Sequence, residues 1–321
     1  MLDVQERDLV IVGGGPAGMA AAISAYENGA RDILLLERDQ YLGGILNQCI
    51  HTGFGVNYFK EVLTGPEYAE RFIKRIKAID KIEVSLKSFA VHLTKDKILT
   101  FIKPGVIQKV KAKALVMSTG ARERTREMLH IPGARPAGIF SAGLAQKLIN
   151  IEGLLPGNEI VIAGSGDIGL IMARRFVLEG AKVKGIIEIQ KEARGLRRNI
   201  VQCVEDFDIP FYLKHKISRI YGKDRVERVE VVSVDDNFQE IPGSKFQIEC
   251  DTLLVSVGLI PENELIETAG VTSMPGLFVC GNAFKIYDLA DSVTEDSIIA
   301  GRQAVEYLGA VHGAAAGRQN D

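Results

Sequence analysis

The sequence predicts an α/β fold of two parallel-sheet units, the second inserted into the first. Two observations carry this expectation. A short β-branched run enters a glycine-rich turn and a helix near residue 13, and the same arrangement recurs at residue 164. Each arrangement is then completed by an apolar strand far downstream, at residues 114–117 and 252–257.

Residues 7–12 form a short apolar run of the kind a buried parallel strand shows. The run enters Gly13-Gly14-Gly15-Pro16-Ala17-Gly18, and residues 19–26 have helical composition. Pro16 suits the first helical turn, where no N–H is needed. Gly13 permits the tight turn, Gly15 lets the backbone approach a pyrophosphate, and Gly18 lets the helix lie close on the strand. The helix N-terminus then offers unpaired N–H groups to phosphates. Residues 32–36 read as a second strand ending at Glu37, 24 residues after Gly13. A carboxylate there is placed to bond a ribose 2′-hydroxyl. Glycines alone make ordinary turns, but with strand, helix and acid in place the segment reads as a dinucleotide site.

Residues 82–117 read as short strands separated by the polar turns Lys95-Asp96-Lys97 and Lys103-Pro104-Gly105, a β-meander crossover. The second unit repeats the first. Residues 159–163 lead into Gly164-Ser165-Gly166-Asp167-Ile168-Gly169, a helix follows over 170–178, and the strand 182–187 reaches Glu188, again 24 residues past the first glycine. Residues 252–258 close this unit. The chain then has only residues 276–282 and a last helix over 295–308, followed by an alanine- and glycine-rich tail expected to be mobile from Gly309. Two Rossmann-like fingerprints imply two bound dinucleotides. The expected domains are 1–122 with 259–321, and 123–258 inserted between them.

Composition is ordinary for a globular chain of 321 residues, 46% hydrophobic and 25% charged. A formal net charge of −2 gives no reason to expect a nucleic-acid partner. The acidic N-terminus and glycine-interrupted apolar run fit neither a signal sequence nor a membrane span, so a soluble, cytoplasmic protein is expected. Cys49, Cys203, Cys250 and Cys280 lack the paired spacing of a zinc site or a dithiol, so reduced thiols and no metal are expected.

The ordering of these motifs resembles the flavoproteins with two dinucleotide-binding domains, the pyridine nucleotide-disulfide oxidoreductase class that includes thioredoxin reductase. The resemblance runs from Val10 to Gly301 through GGGPAG, Glu37, the string Ser118-Thr119-Gly120-Ala121, GSGDIG, residues 257–261 and residues 276–282. It implies two Rossmann-like FAD/NAD(P)-binding domains, with the NAD domain inserted in the FAD domain and β-meander crossovers. Residues 43–55, 63–72 and 138–150 further resemble the branch of NAD/FAD-dependent oxidoreductases that accompany glycerol-3-phosphate dehydrogenase-like flavoproteins.

Carried over by position, the resemblance implies FAD contacts at Gly13, Gly15, Pro16, Ala17, Gly18, Glu37, Arg38, Gly43, Gly44, Cys49, Ala90, Thr119, Gly120, Gly281, Asn282 and Thr294. It implies nicotinamide nucleotide contacts at Gly164, Gly166, Asp167, Ile168, Gly169, Glu188 and Gly258. Three departures stand out. Asn282 occupies a position that is usually aspartate in the wider class, keeping an acceptor oxygen without the charge. The connection over 270–275 is shorter than in many relatives. Ser141-Ala142-Gly143-Leu144 stands where thioredoxin reductases carry their C-x-x-C, so dithiol chemistry is not expected.

Glu188 is followed by Ile189 and Gln190, where NADP-specific relatives place arginines. A carboxylate about 4 Å from a 2′-phosphate charge costs about 4 kcal/mol at an effective dielectric of about 20. NAD is therefore expected over NADP, with Arg194, Arg197 and Arg198 as the counterargument. Cys49 has three readings. A disulfide would need a second nearby cysteine, and a charge-transfer thiolate would need a lowered pKa of the kind neighbouring His51 could supply. Packing needs nothing further, and it is the reading adopted, with the thiolate as the alternative.

The expected function is hydride exchange between NAD(H) and flavin. The resemblance adds an electron partner, a dehydrogenase-like flavoprotein or an iron–sulfur protein, within a glycerol-3-phosphate dehydrogenase-type complex. The alternatives are a stand-alone NADH oxidase or NADH:acceptor reductase, and a non-catalytic nucleotide-binding subunit.

Overall fold

Leu9, Val10 and Ile11 are fully buried, which fixes the first strand, Val4–Val12, at the centre of a sheet. In the computed structural model, which describes residues 4–270 and 274–317, the chain divides into two units. They are Met1–Arg122 with Pro261–Asp321, and Glu123–Ile260.

In the first unit Val4–Val12 pairs in parallel with Ile33–Leu36 on one side and Val106–Met117 on the other, and Ile33–Leu36 continues to Ile82–Ser85. Strand Ile82–Ser85 therefore belongs to the parallel sheet, whereas the sequence reading placed it in the meander. Its alternation of polar and apolar residues suits an edge strand of either kind, and only the partner decides. The antiparallel meander is Phe89–Leu93, Ile98–Lys103 and the first half of Val106–Met117. The second half of that strand pairs in parallel with Leu277–Val279, which returns the chain to the sheet.

Helix Pro16–Glu27 covers the sheet with a face of small residues, Ala17, Ala20, Ala21, Ala22 and Ala25. Against it lies the last helix, Ala290–Gly317, through Ala300, Ala304 and Leu308. A Cβ at Gly301 would overlap the carbonyl of Ala21, so glycine sets this close approach. Helix Gly65–Lys77 starts at a capping box, with Thr64 and Glu67 each satisfying the other's backbone N–H. Its buried stripe is Tyr68, Phe72 and Ile76, and burying Phe72 alone stabilises by roughly 2–3 kcal/mol.

The second unit has a five-stranded parallel sheet in the order Ile139–Ser141, Thr252–Val255, Glu159–Ala163, Lys182–Glu188, Phe211–Leu213. Its last strand in sequence is thus inserted between its first two. Helices Ala142–Asn150 and Asp167–Leu178 cover one face through Ala145, Ile149, Met172 and Phe176. The other face, Val161, Ile187 and Val255, packs on the antiparallel strands His215–Gly222, Val226–Ser233 and Phe246–Glu249.

Two further expectations are corrected. The second boundary between units falls after Ile260, two residues later than the 258/259 break read from the sequence. Gly258 remains with the inserted unit because its carbonyl accepts from the amide of Arg124. The final helix runs from Ala290 to Gly317 and takes in residues 309–317 of the tail that was expected to be mobile, while residues 318–321 lie outside the described residues. Alanine is the strongest helix former, so an alanine-rich stretch continues a helix already docked. In the shortened connection over 270–275, residues 271–273 lie outside the described residues.

Candidate dinucleotide sites

The first fingerprint loop separates glycines required by packing from glycines required by something else. Gly13 has a φ of +107°, and a Cβ there would overlap the carbonyl of Ser118. At Gly18 a Cβ would overlap the carbonyl oxygen of Gly13, so strand, turn and helix meet backbone to backbone. At Gly15 no atom beyond its own chain neighbours lies within 4 Å of the position a Cβ would take. Nothing in the fold forbids a side chain there. The open space sits beside the N-terminus of helix Pro16–Glu27, where N–H groups lack helical partners.

The second loop repeats the pattern. A Cβ at Gly164 would overlap the carbonyl of Ser256, and one at Gly169 would crowd Gly164 and the side chain of Ser256. Gly166 has open space and caps helix Asp167–Leu178. Gly120 and Gly258, which follow the closing strands of the two units, also face open space, and their φ of +79° and +102° favours glycine on its own account. A cradle that a methyl group would fill, beside unpaired helix N–H groups, fits a phosphate-bearing ligand in each unit.

Both acids are buried. One oxygen of Glu37 accepts from the amide of Gly14 at 2.7 Å and the other from that of Asp39 at 2.8 Å. In Glu188 one oxygen accepts from the Ser165 amide at 3.0 Å and the Ser165 hydroxyl at 2.6 Å, and the other from the Gln190 amide at 2.8 Å. Each carboxylate therefore ties its fingerprint loop to the end of the second strand. Each oxygen accepts about two bonds, so the first unit keeps more acceptor capacity than the second.

Other expected residues have definite places. The amide of Gly43 donates to the carbonyl of Gly14 at 2.9 Å, and a Cβ at Gly44 would sit 3.1 Å from Gly15 Cα, so this pair backs the fingerprint loop. Pro16 and Ala17 open the first helix, and a Cβ at Gly281 would meet Ala17 Cβ at 2.8 Å. Thr119 donates its hydroxyl to the carbonyl of Glu262. Arg38 is exposed, and Ala90 packs against the meander core. Ile168 is half-buried in the first turn of its helix.

Three expected side chains have structural partners. The Thr294 hydroxyl pairs with Tyr68 at 2.7 Å in the core, where the whole residue is buried. Asn282 uses its acceptor oxygen on the amide of Tyr287 at 3.0 Å. Asp167 accepts at one oxygen from the Leu196 amide (2.8 Å) and Asn199 side chain (2.7 Å), anchoring the loop that ends in helix Arg197–Cys203.

Cys49 is buried at 4% exposure, and burial pushes its thiol up to about 12. That supports packing and argues against the thiolate. Its carbonyl accepts from the amide of Gly65 at 2.9 Å, and the His51 ring packs on Phe54 at 5.2 Å between centroids. Cys203, Cys250 and Cys280 are also buried and outside any disulfide.

Sequence reading missed three contributors. Ser118 donates to the carbonyls of Val12 and Gly13, locking the first turn, and the paired strings Ser118-Thr119-Gly120 and Ser256-Val257-Gly258 carried that signal. Ser165 bridges Glu188 to the Arg194 amide, holding the loop after the second strand. Asp291 is buried and accepts from the amides of Gly55 and Asn57, fixing the loop beyond Cys49 from 236 residues away in sequence. No local pattern marks such a pairing.

Comparison with known proteins accords with this geometry. The family model described as pyridine nucleotide-disulphide oxidoreductase matches residues 7–287. The chain is 28% identical over 282 residues to the HcnB component of hydrogen cyanide synthase from Pseudomonas protegens, covering 82% of this chain and 58% of that protein. It is 25% identical to an opine oxidase subunit of Agrobacterium tumefaciens, covering 82% and 54%. It is 26% identical to NADH dehydrogenase of Bacillus subtilis, covering 96% and 58%. The chain thus spans little more than half the length of these relatives. Thioredoxin reductase of Lactococcus lactis has the same fold, with a TM-score of 0.74 at 20% identity over 94% of this chain and 99% of that one. Among the described residues no helix is long and apolar enough to cross a membrane.

Proposed function

We propose, from the premise that the chain belongs to the pyridine nucleotide-disulphide oxidoreductase family, that it is an FAD-dependent NAD(H) oxidoreductase serving as the electron-transfer component of a larger assembly. FAD and NAD(P)H are the cofactors of this family, and between them they supply the hydride chemistry. The chain's own residues bind and orient. Gly13, Gly15 and Gly18 with Glu37 would hold FAD, and Gly164, Gly166 and Gly169 with Glu188 would hold NAD. The observation that carries the reading is the pair of cradles, each with one glycine, Gly15 or Gly166, that the fold itself does not require.

Four buried cysteines outside any disulfide, with Cys49 held as a neutral thiol, support an exit for electrons other than a dithiol. Two relatives named as components of multi-subunit enzymes, hydrogen cyanide synthase and opine oxidase, support a partner protein as that exit. We assign the partner role to a dehydrogenase-like flavoprotein or iron–sulfur protein, of the glycerol-3-phosphate dehydrogenase type. The likeness to an NADH dehydrogenase favours a second reading, a self-sufficient NADH:acceptor reductase.

NADH-driven reduction of ferricyanide and of an aromatic disulfide by the purified chain tests the first claim. Ferricyanide turnover without disulfide turnover is expected, and fast disulfide reduction would refute it. Purification from the native host separates the two readings. A co-purifying dehydrogenase supports the assembly, and a lone chain with rapid quinone or oxygen turnover supports the second reading.

A further inference from the structure

The second unit holds a cleft of about 360 Å³ that the fingerprint loop does not line. Its walls include Arg126, Glu127, Arg135, Phe140, Ser141 and Leu144. Arg126 is 5% exposed. Its Nη2 donates to the carbonyls of Ile131 at 2.8 Å and Gly133 at 3.3 Å. Its Nη1 lies 3.7 Å from a Glu127 oxygen, beyond hydrogen-bond distance, and its buried Nε has no partner among the described residues.

A guanidinium carries five N–H donors and is always charged. Arg126 has two carbonyl partners and one long ion pair to the exposed Glu127, and burying a guanidinium so incompletely paired is unfavourable. Arg135 stands exposed on the same cleft, with no hydrogen-bond or ion-pair partner among the described residues. Ser141 begins helix Ala142–Asn150 but makes no side-chain cap bond, so its hydroxyl is also uncommitted. Glu127 is the one opposing charge. Its own backbone amide and the Thr125 hydroxyl, with the charges of Arg126 and Arg135, hold its carboxyl below the usual range. The ionised cleft therefore keeps an excess of positive charge over a wall of Ile139, Phe140 and Leu144.

The cleft lies at the carboxyl ends of strands Ile139–Ser141 and Thr252–Val255. Thr252–Val255 also pairs in parallel with Glu159–Ala163, whose carboxyl end enters the second fingerprint. In parallel sheets ligands collect at that edge. We propose that this cleft binds a small monocarboxylate, with its carboxylate on Arg126 and Arg135 and its apolar body against Phe140 and Leu144. The assignment stands apart from the hydride chemistry above, since it needs neither dinucleotide.

The test is calorimetric titration of the full chain, as purified with its flavin, with benzoate and with its neutral isostere benzamide. Saturable binding of benzoate and at least about tenfold weaker binding of benzamide are expected. Arg126 also holds the turn at Ile131–Gly133, so the variants are Arg135→Gln and Glu127→Gln, both at exposed positions. Arg135→Gln is expected to weaken benzoate by about tenfold, and Glu127→Gln to tighten it severalfold. Saturating NAD is expected to leave benzoate affinity within twofold. No benzoate binding, equal binding of benzamide, indifference to Arg135→Gln, or competitive displacement by NAD would each overturn the proposal.

Discussion

Replacing Gly15 by alanine separates what the fold needs from what the ligand needs. Gly15 has extended backbone, with φ −75° and ψ −172°, which alanine adopts without strain. No atom beyond the chain neighbours lies within 4 Å of the added methyl. Alanine is a poorer N-cap than glycine, a loss of roughly 0.5–1 kcal/mol. The smaller entropy of the unfolded alanine chain returns about 0.4–1 kcal/mol. The two nearly cancel, so the flavin-free variant should unfold at the wild-type urea midpoint. With ligand, the methyl occupies the space a pyrophosphate needs, and overpacking of about 1–3 kcal/mol weakens FAD between about fivefold and about 150-fold. Gly18→Ala is the contrast. Its methyl overlaps the Gly13 carbonyl, so it should cost stability before any ligand is added. Fluorescence titration of flavin-free protein with FAD, beside urea unfolding, gives both numbers. Wild-type FAD affinity in Gly15→Ala, or a flavin-free form of that variant that is markedly destabilised, would refute the reasoning.

Glu188 facing a 2′-phosphate should hold kcat/KM for NADPH at least about tenfold below that for NADH after screening, and Glu188→Gln should narrow the gap in steady-state assays. Cys49, Cys250 and Cys280 have thiols pushed up to about 12 by burial, above the ordinary thiol range. Above that ordinary range the unfolded chain releases protons that the native state retains, so stability is full below about pH 8.5 and falls as pH rises toward about 12. The urea midpoint should drop between pH 8 and pH 10, and native Cys49 should resist iodoacetamide at pH 8. Asp291→Ala leaves two amides without their carboxylate and should cost roughly 3–5 kcal/mol in urea unfolding, with Asp291→Asn retaining part of it.

The two fingerprints were legible because each of their signals is local. A strand, three glycines and an acid at fixed spacing describe backbone that must touch backbone, and Gly13, Gly18, Gly164 and Gly169 do so. The parallel role of Ile82–Ser85 was not legible, since its residues suit an edge strand of either kind and only Ile33–Leu36 decides. The helical state of residues 309–317 was not legible because alanine and glycine together suggest a loose end, whereas helix Ala290–Gly317 is already anchored by Ala300 and Ala304 on helix Pro16–Glu27. Side-chain partnerships were not legible where the partner is remote. Asp291 with Gly55, Thr294 with Tyr68 and Asp167 with Asn199 depend on pairings that no spacing in the sequence announces. Arg126 sits in the charged stretch Arg122-Glu123-Arg124-Thr125-Arg126-Glu127, and only its burial singles it out.

The central claim is that one chain holds both a flavin and a nicotinamide nucleotide and passes a hydride between them. Anaerobic titration of the purified, flavin-loaded protein with NADH, followed in the visible flavin band, tests this most directly. The account predicts bleaching that is complete near one equivalent of NADH and is slower by at least about tenfold with NADPH. A flavin that stays oxidised under excess NADH would contradict it.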